Sequence, residues 1–200
     1  MPVRGELKAL LALAGPVVLA EIGWMAMGVV DTLMVGPLGP AAIAATGMSS
    51  GVFTAIAIFG MGMMLGLDAL VSRAYGAGQP DECLRWLQHG VCLALIATPV
   101  VMALAWSAIL TIDTWGLHPD IRSLAGPYLR VITLGTLPLL LYASFRRYLQ
   151  GMHIVAPVMF ALVSANLVNA GANWALVYGH LGLPALGVEG SAWATTVARV

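Results

Sequence analysis

Charge is the scarcest ingredient of this chain: Asp, Glu, Lys and Arg make up 9% of 200 residues, while 60% are hydrophobic. A water-soluble domain carries about 25% charged and about 45–50% apolar residues, so the polar surface here is too small for folding in water. The nine basic and nine acidic residues cancel. No positive field is left to hold a nucleic-acid backbone, which excludes that class of partner. Cysteine is almost missing. Cys83 and Cys92 are too far apart for a CxxC motif and have no histidines at zinc-ligand spacing, so both read as ordinary membrane-helix residues. The phosphate-binding GxxxxGK[ST] loop and the metalloprotease HExxH are also missing. His118, His153 and His180 fall in connectors or at helix ends, and His89 is read as having no GxSxG serine to serve, which argues against an intramembrane enzyme. A filter loop or ring of like charges, as a channel would need, is not recognisable either.

What is present is long apolar runs. Crossing the hydrocarbon takes about 20 mostly apolar residues, and only helices or closed barrels satisfy their backbone in lipid. Continuous runs, not ten-residue alternations, point to helices. The sequence predicts an all-α, polytopic transmembrane bundle with helices over 8–35, 41–67, 86–112, 126–145 and 154–178, and a sixth from about 188. Turn formers separate them: Gly36-Pro37-Leu38-Gly39-Pro40, Gly76-Ala77-Gly78-Gln79-Pro80 and His118-Pro119-Asp120. The first apolar run follows no small-residue cleavage site and reads as a membrane anchor, not a removed leader. The sixth helix is still running at Val200, so residues 1–200 are expected to be one six-helix lobe of a longer, duplicated transporter.

Orientation follows from Lys and Arg. Arg4, Lys8, Arg73, Arg85, Arg146 and Arg147 flank one set of connectors; Arg122 and Arg130 flank the other, with Arg199 set aside as intramembrane. This balance puts the N-terminus in the cytoplasm.

Charged residues within spans are costly and by default functional. The first helix has two, Glu21 and Asp31, roughly 15 Å apart along its axis. Two readings fit Asp31: a carboxylate that takes up and releases a proton or sodium ion, or one held by a structural partner or snorkelling to the outer interface. Pro16, half-way along, is expected to kink the helix, either as a moving element or as a static bend. In the fifth helix Asn166, Asn169 and Asn173 fall within about 60° of one another on one face. They either tie helices together or, in the case of Asn169 and Asn173, join Asp31 around an ion. Asp68 and Arg73 read as an interfacial pair, and Gly60, Gly62 and Gly66 as a face for close helix contact. The eleven methionines read as core filler or as an adaptable pocket lining.

Four stretches, in order, resemble multidrug and toxic compound extrusion (MATE) transporters, above all the NorM-type bacterial branch. They are Gly15-Pro16 with Val30-Asp31-Thr32-Leu33-Met34-Val35-Gly36 and Leu38-Gly39; Ala74-Tyr75-Gly76-Ala77-Gly78; Arg146-Arg147-Tyr148-Leu149-Gln150-Gly151; and Asn169 through Asn173 with Gly187-Val188-Glu189-Gly190-Ser191-Ala192-Trp193-Ala194-Thr195. The resemblance implies twelve helices in two lobes, this chain being the N-terminal one, its C-terminal lobe its nearest partner. It implies export of organic cations and amphiphilic drugs across the inner membrane in exchange for H+ or Na+, with no other cofactor. The ion site it implies is Asp31, Asn169, Asn173 and Thr195. Some relatives have an aspartate where Asn173 stands, so this site has one carboxylate fewer and leans toward proton coupling over sodium. Glu21, where relatives carry an uncharged polar residue, restores some negative charge but lies too far away to share an ion with Asp31. Flipping of lipid-linked saccharides, an activity of the same superfamily, would require several basic residues in a groove, and the helices hold almost none.

Overall fold

The computed structural model describes the chain from Val3 onward, with side chains described for Gly15, Val18 and residues 21–200. Pro16 and its expected kink lie outside those described residues. Among the described residues eight α-helices make up the bundle: α1 (Val3–Val35), α2 (Pro40–Met64), α3 (Gly66–Gly76), α4 (Pro80–Thr111), α5 (Pro119–Leu134), α6 (Thr136–Gly151), α7 (Ala156–Tyr178) and α8 (Val188–Ala198). Among the described residues no strand occurs.

These eight helices cover the six expected segments, two of them interrupted. α2 and α3 run as one 37-residue span, broken at Leu65, and α5 and α6 meet at Gly135 with a 48° bend. Neither break was expected. Among the described residues three spans are long and apolar enough to cross a membrane, or four with the bent pair counted as one. The helices also outrun the predicted limits: the third starts at Pro80 rather than 86, and the fourth covers 119–151 rather than 126–145. The added turns are polar. Asp81 and Glu82 begin α4, where acids favour the helix dipole, and Asp120 and Arg122 begin α5. Apolar runs mark only the stretch inside hydrocarbon, whereas helices continue into the headgroup region. Pro40, Pro80 and Pro119 each stand in the first turn of their helix, where the missing N–H costs nothing.

Large apolar side chains face outward, among them Leu110, Phe160 and Leu167, each 70% exposed or more. Small residues line the inside, including Ala45, Ala57, Ala94, Ala105 and Ala125. Lipid is as apolar as leucine, so close backbone approach rather than hydrophobic burial holds such helices together. Around Phe53, Tyr128, Leu129 and Ile132 the core joins α2, α5 and α8. Of the expected glycine face only Gly60 is used: a Cβ there would lie 2.9 Å from Val101 Cγ2, while Gly62 and Gly66 have nothing within 4 Å.

Two close approaches place α8 against α7. A Cβ on Gly190 would lie 2.6 Å from the carbonyl oxygen of Leu176, so only glycine fits where the two backbones touch. Gly179 ends α7 in the left-handed conformation, φ 76°, which glycine adopts without strain. The return loop then sends the Leu186 N–H back to the Leu176 carbonyl at 2.8 Å. α7 is held against α1 by Asn166 Nδ2, which donates to the Gly23 carbonyl at 2.9 Å, and by Tyr178 OH, which donates to the Met34 carbonyl at 2.6 Å.

Two ion pairs converge on the C-terminal half of α6. Arg146 pairs with Glu21 of α1, and Arg147 Nη1 pairs with Asp68 Oδ2 of α3 at 2.9 Å. The expected Asp68–Arg73 pair does not form. Five residues on a helix separate side chains by about 140°, so Arg73 points away from Asp68, and Arg147 comes from a distant part of the chain.

Candidate ion-coupling site

Asp31 is 4% exposed, four residues before the end of α1, and faces α7 and α8. Three neutral side chains donate to its carboxylate. Asn169 Nδ2 and Asn173 Nδ2 reach Oδ1 at 2.9 and 2.8 Å, and Thr195 Oγ1 reaches Oδ2 at 2.5 Å. Asn169 Nδ2 also lies 3.2 Å from Thr195 Oγ1, and Asn173 Nδ2 donates to the Asn169 carbonyl at 3.0 Å. Both asparagines are wholly buried, and Thr195 is 3% exposed.

The spacing explains the convergence. Asn169 and Asn173 are one turn apart on α7, stacked on the face toward α1. Thr195 arrives from α8 because the Gly190 contact sets the depth of that helix. Hydrogen bonds that reach a buried carboxylate are what make its charge tolerable away from water. The amide oxygens Oδ1 of Asn169 and Asn173 are buried without a partner, so the amides turn their donors, not their acceptors, toward Asp31. Three donors and no acceptor face the two oxygens of Asp31, the pattern a carboxylate accepts.

Four of the sequence-predicted residues thus come together: Asp31, Asn169, Asn173 and Thr195. Asn166 does not join them; its amide is engaged with the Gly23 and Leu162 carbonyls. Glu21 is also separate. It is 54% exposed, pairs with Arg146, and lines a different cavity of about 240 Å³ with Trp24, Met61 and Tyr142. Among the described residues no three of His, Cys, Asp or Glu group as a metal cluster, so oxygens other than carboxylates would have to complete any sodium shell.

The structure adds residues that sequence reasoning passed over. A cavity of about 120 Å³ beside Asp31 is lined by Ser50 and Thr54 of α2, Tyr128 of α5, Thr195 and Arg199. Arg199 carried the same intramembrane-charge signal as Asp31 and could have been found by it. Tyr128 and the α2 hydroxyls had no such signal. Gly47-Met48-Ser49-Ser50-Gly51 does spell GxSxG, contrary to the reading of the sequence. It lies within α2, not at a strand-to-helix elbow, and Ser49 Oγ is turned toward the Ala125 carbonyl at 3.4 Å.

Residues 16–175 match the MatE family model. The multidrug resistance protein NorM of Photobacterium profundum is 31% identical over 194 residues, which are 97% of this chain and 42% of that protein. The multidrug resistance protein PmpM of Pseudomonas aeruginosa is 34% identical over 196 residues, 96% of this chain and 41% of its own length. The chain therefore spans about two fifths of these relatives. The fold matches that of a MOP superfamily transporter from Pyrococcus furiosus with a TM-score of 0.80 at 22% identity, over 96% of this chain and 42% of that one. The outward-facing form of a multidrug resistance MATE family transporter superposes with a TM-score of 0.77, at the same identity and coverage. With that match across most of its length, and with its helices in the same arrangement, the chain belongs to the MatE family.

Proposed function

We propose that this chain is the N-terminal, ion-coupling lobe of a secondary active multidrug antiporter. It would export organic cations and amphiphilic drugs across the inner membrane in exchange for inward-moving H+, its N-terminus cytoplasmic and its C-terminal lobe closing the transport path. One observation carries the reading: Asp31, the one buried carboxylate among the described residues, is enclosed by Asn169, Asn173 and Thr195 from two other helices. A cation bound at that point touches α1, α7 and α8 together, so its arrival and departure alter contacts among all three. A ligand shifts a conformational equilibrium only through contacts that differ between the two states, and a cation held by three helices would lose such contacts when the helices part.

Hydrogen-bond polarity supports a proton over sodium. A proton on Asp31 Oδ2 requires only that the Thr195 hydroxyl turn from donor to acceptor, which a hydroxyl does freely. Sodium takes oxygen ligands, and both amide oxygens point elsewhere, so both amides would have to rotate and give up the bonds made by their Nδ2 atoms. Relatives named as multidrug resistance proteins support the substrate class. Saccharide flipping has less support, because Arg146 and Arg147 are engaged by Glu21 and Asp68 and are not free for phosphates.

The test is dye efflux from vesicles holding the full-length protein under imposed H+ or Na+ gradients. Efflux driven by H+ and lost in Asp31→Asn, with insertion and folding intact, is expected. Undiminished H+-driven efflux in Asp31→Asn would remove the carboxylate from the mechanism.

A further inference from the structure

Arg199 is the residue just past α8, one helical turn beyond Thr195 and on the same face. Its guanidinium carbon stands 5.1 Å from the centre of the Phe53 ring. Nε and Nη1 are both shut off from solvent and donate to nothing. Nη1 lies 3.3 Å from where a Cβ on Gly135 would sit, so the glycine at the α5–α6 bend is what leaves the guanidinium its space. The same cavity of about 120 Å³ is lined by Arg199, Asp31 and Tyr128, yet the ion pairs of 4.0 Å or less among the described residues do not include Arg199 with Asp31. Tyr128 OH is likewise buried without a partner.

An arginine held this way is unusual. Its charge is effectively permanent, and an uncompensated charge inside a membrane protein is costly. The only carboxylate lining its cavity is Asp31. The other groups facing that cavity are neutral: Ser50 and Thr54 from α2, Tyr128 from α5, Thr195 from α8. Asn169 and Asn173, which reach Asp31 from α7, are neutral too. With Asp31 ionised the cavity therefore carries no net charge, and with a cation bound it carries one positive charge.

We propose that Arg199 is the tethered counter-cation of Asp31, a positioning residue whose fixed charge across the shared cavity weakens cation binding at the carboxylate enough for the ion to leave. The proposal rests on Asp31 being the ion-coupling group. A solitary carboxylate in a water-poor site would hold its cation too firmly to cycle. Arg199 offsets this by neutralising the empty state and repelling the loaded one. Its separation from Asp31 matters as much as its charge, because a direct ion pair would close the site to any other cation.

The experiment compares Arg199→Gln and Arg199→Lys with the unaltered full-length protein in vesicles, following H+-driven dye efflux as a function of pH. Loss of the positive charge should move the midpoint of the pH profile upward by about one unit, tenfold in proton affinity, the low end of the effect of a nearby charge. Arg199→Lys should stay near the original midpoint. An unchanged midpoint in Arg199→Gln overturns the proposal. If Arg199→Gln is recovered poorly from membranes, Asp31→Asn is added: restored yield supports charge compensation between the two, and no restoration overturns it. The two readings fail separately. Full H+ coupling in Asp31→Asn sinks the coupling site itself, whereas lost coupling there with an unmoved Arg199→Gln profile sinks only the role of Arg199.

Discussion

Gly190→Ala tests whether the α7–α8 contact sets the ion site. The added methyl would lie 2.6 Å from Leu176 O, 2.7 Å from Leu176 C and 2.9 Å from Val177 N, all backbone atoms with no rotamer to yield. Ordinary contact begins near 3.4 Å, so α8 must move off α7 by somewhat under 1 Å. Overpacking of this kind costs about 1–3 kcal/mol. Thr195 is five residues further along the same helix, and its 2.5 Å bond to Asp31 has little slack for such a movement. A hydrogen bond to a charged group contributes about 1.5–3 kcal/mol, so coupling should suffer beyond the loss of stability. Gly171→Ala is the control, since a Cβ there meets nothing within 4 Å on the same α7. It should be neutral, or stabilising by up to about 1 kcal/mol through helix propensity. Thermal unfolding of the purified protein, paired with H+-driven efflux per folded molecule, reads both effects. If Gly190→Ala matches Gly171→Ala in both, the close approach does not position Thr195.

Asn166→Leu removes the tie from α7 to the Gly23 carbonyl, and should lower stability by about 1–2 kcal/mol while leaving the ion preference of transport unchanged; a changed H+ against Na+ preference in vesicles would show that Asn166 serves the ion. A double-mutant cycle of Asp68→Asn and Arg147→Gln should give a coupling of only about 0.5–1 kcal/mol in unfolding measurements, because both side chains are partly exposed, at 37% and 27%. A cycle near zero, with a strong coupling between Asp68 and Arg73 instead, would contradict the observed pairing.

How much of this was legible in the sequence depended on whether a local rule applied. Asp31 announced itself as a charge in an apolar run, and the three-asparagine stripe followed from helical periodicity. Periodicity could not tell Asn166 from the other two, because the difference lies in what α1 presents at each depth: a backbone carbonyl at Gly23, a carboxylate at Asp31. The Gly135 bend was invisible, since glycine is common in membrane helices and an apolar run continues through it. Arg73 is near Asp68 in sequence, whereas its actual partner Arg147 is near only in the fold. Arg199 obeys the same rule that singles out Asp31, a charge within an apolar span. Tyr128 looks like any buried aromatic until α5 is placed against the cavity.

Proton exchange for substrate at Asp31 can be read without a membrane. The most direct measurement is proton release from purified full-length protein in weakly buffered detergent solution when a cationic substrate is added near the pH where efflux is half-maximal. A pulse of protons is expected from the unaltered protein and none from Asp31→Asn that still binds substrate. An equal pulse from both would place the exchanged proton elsewhere and contradict it.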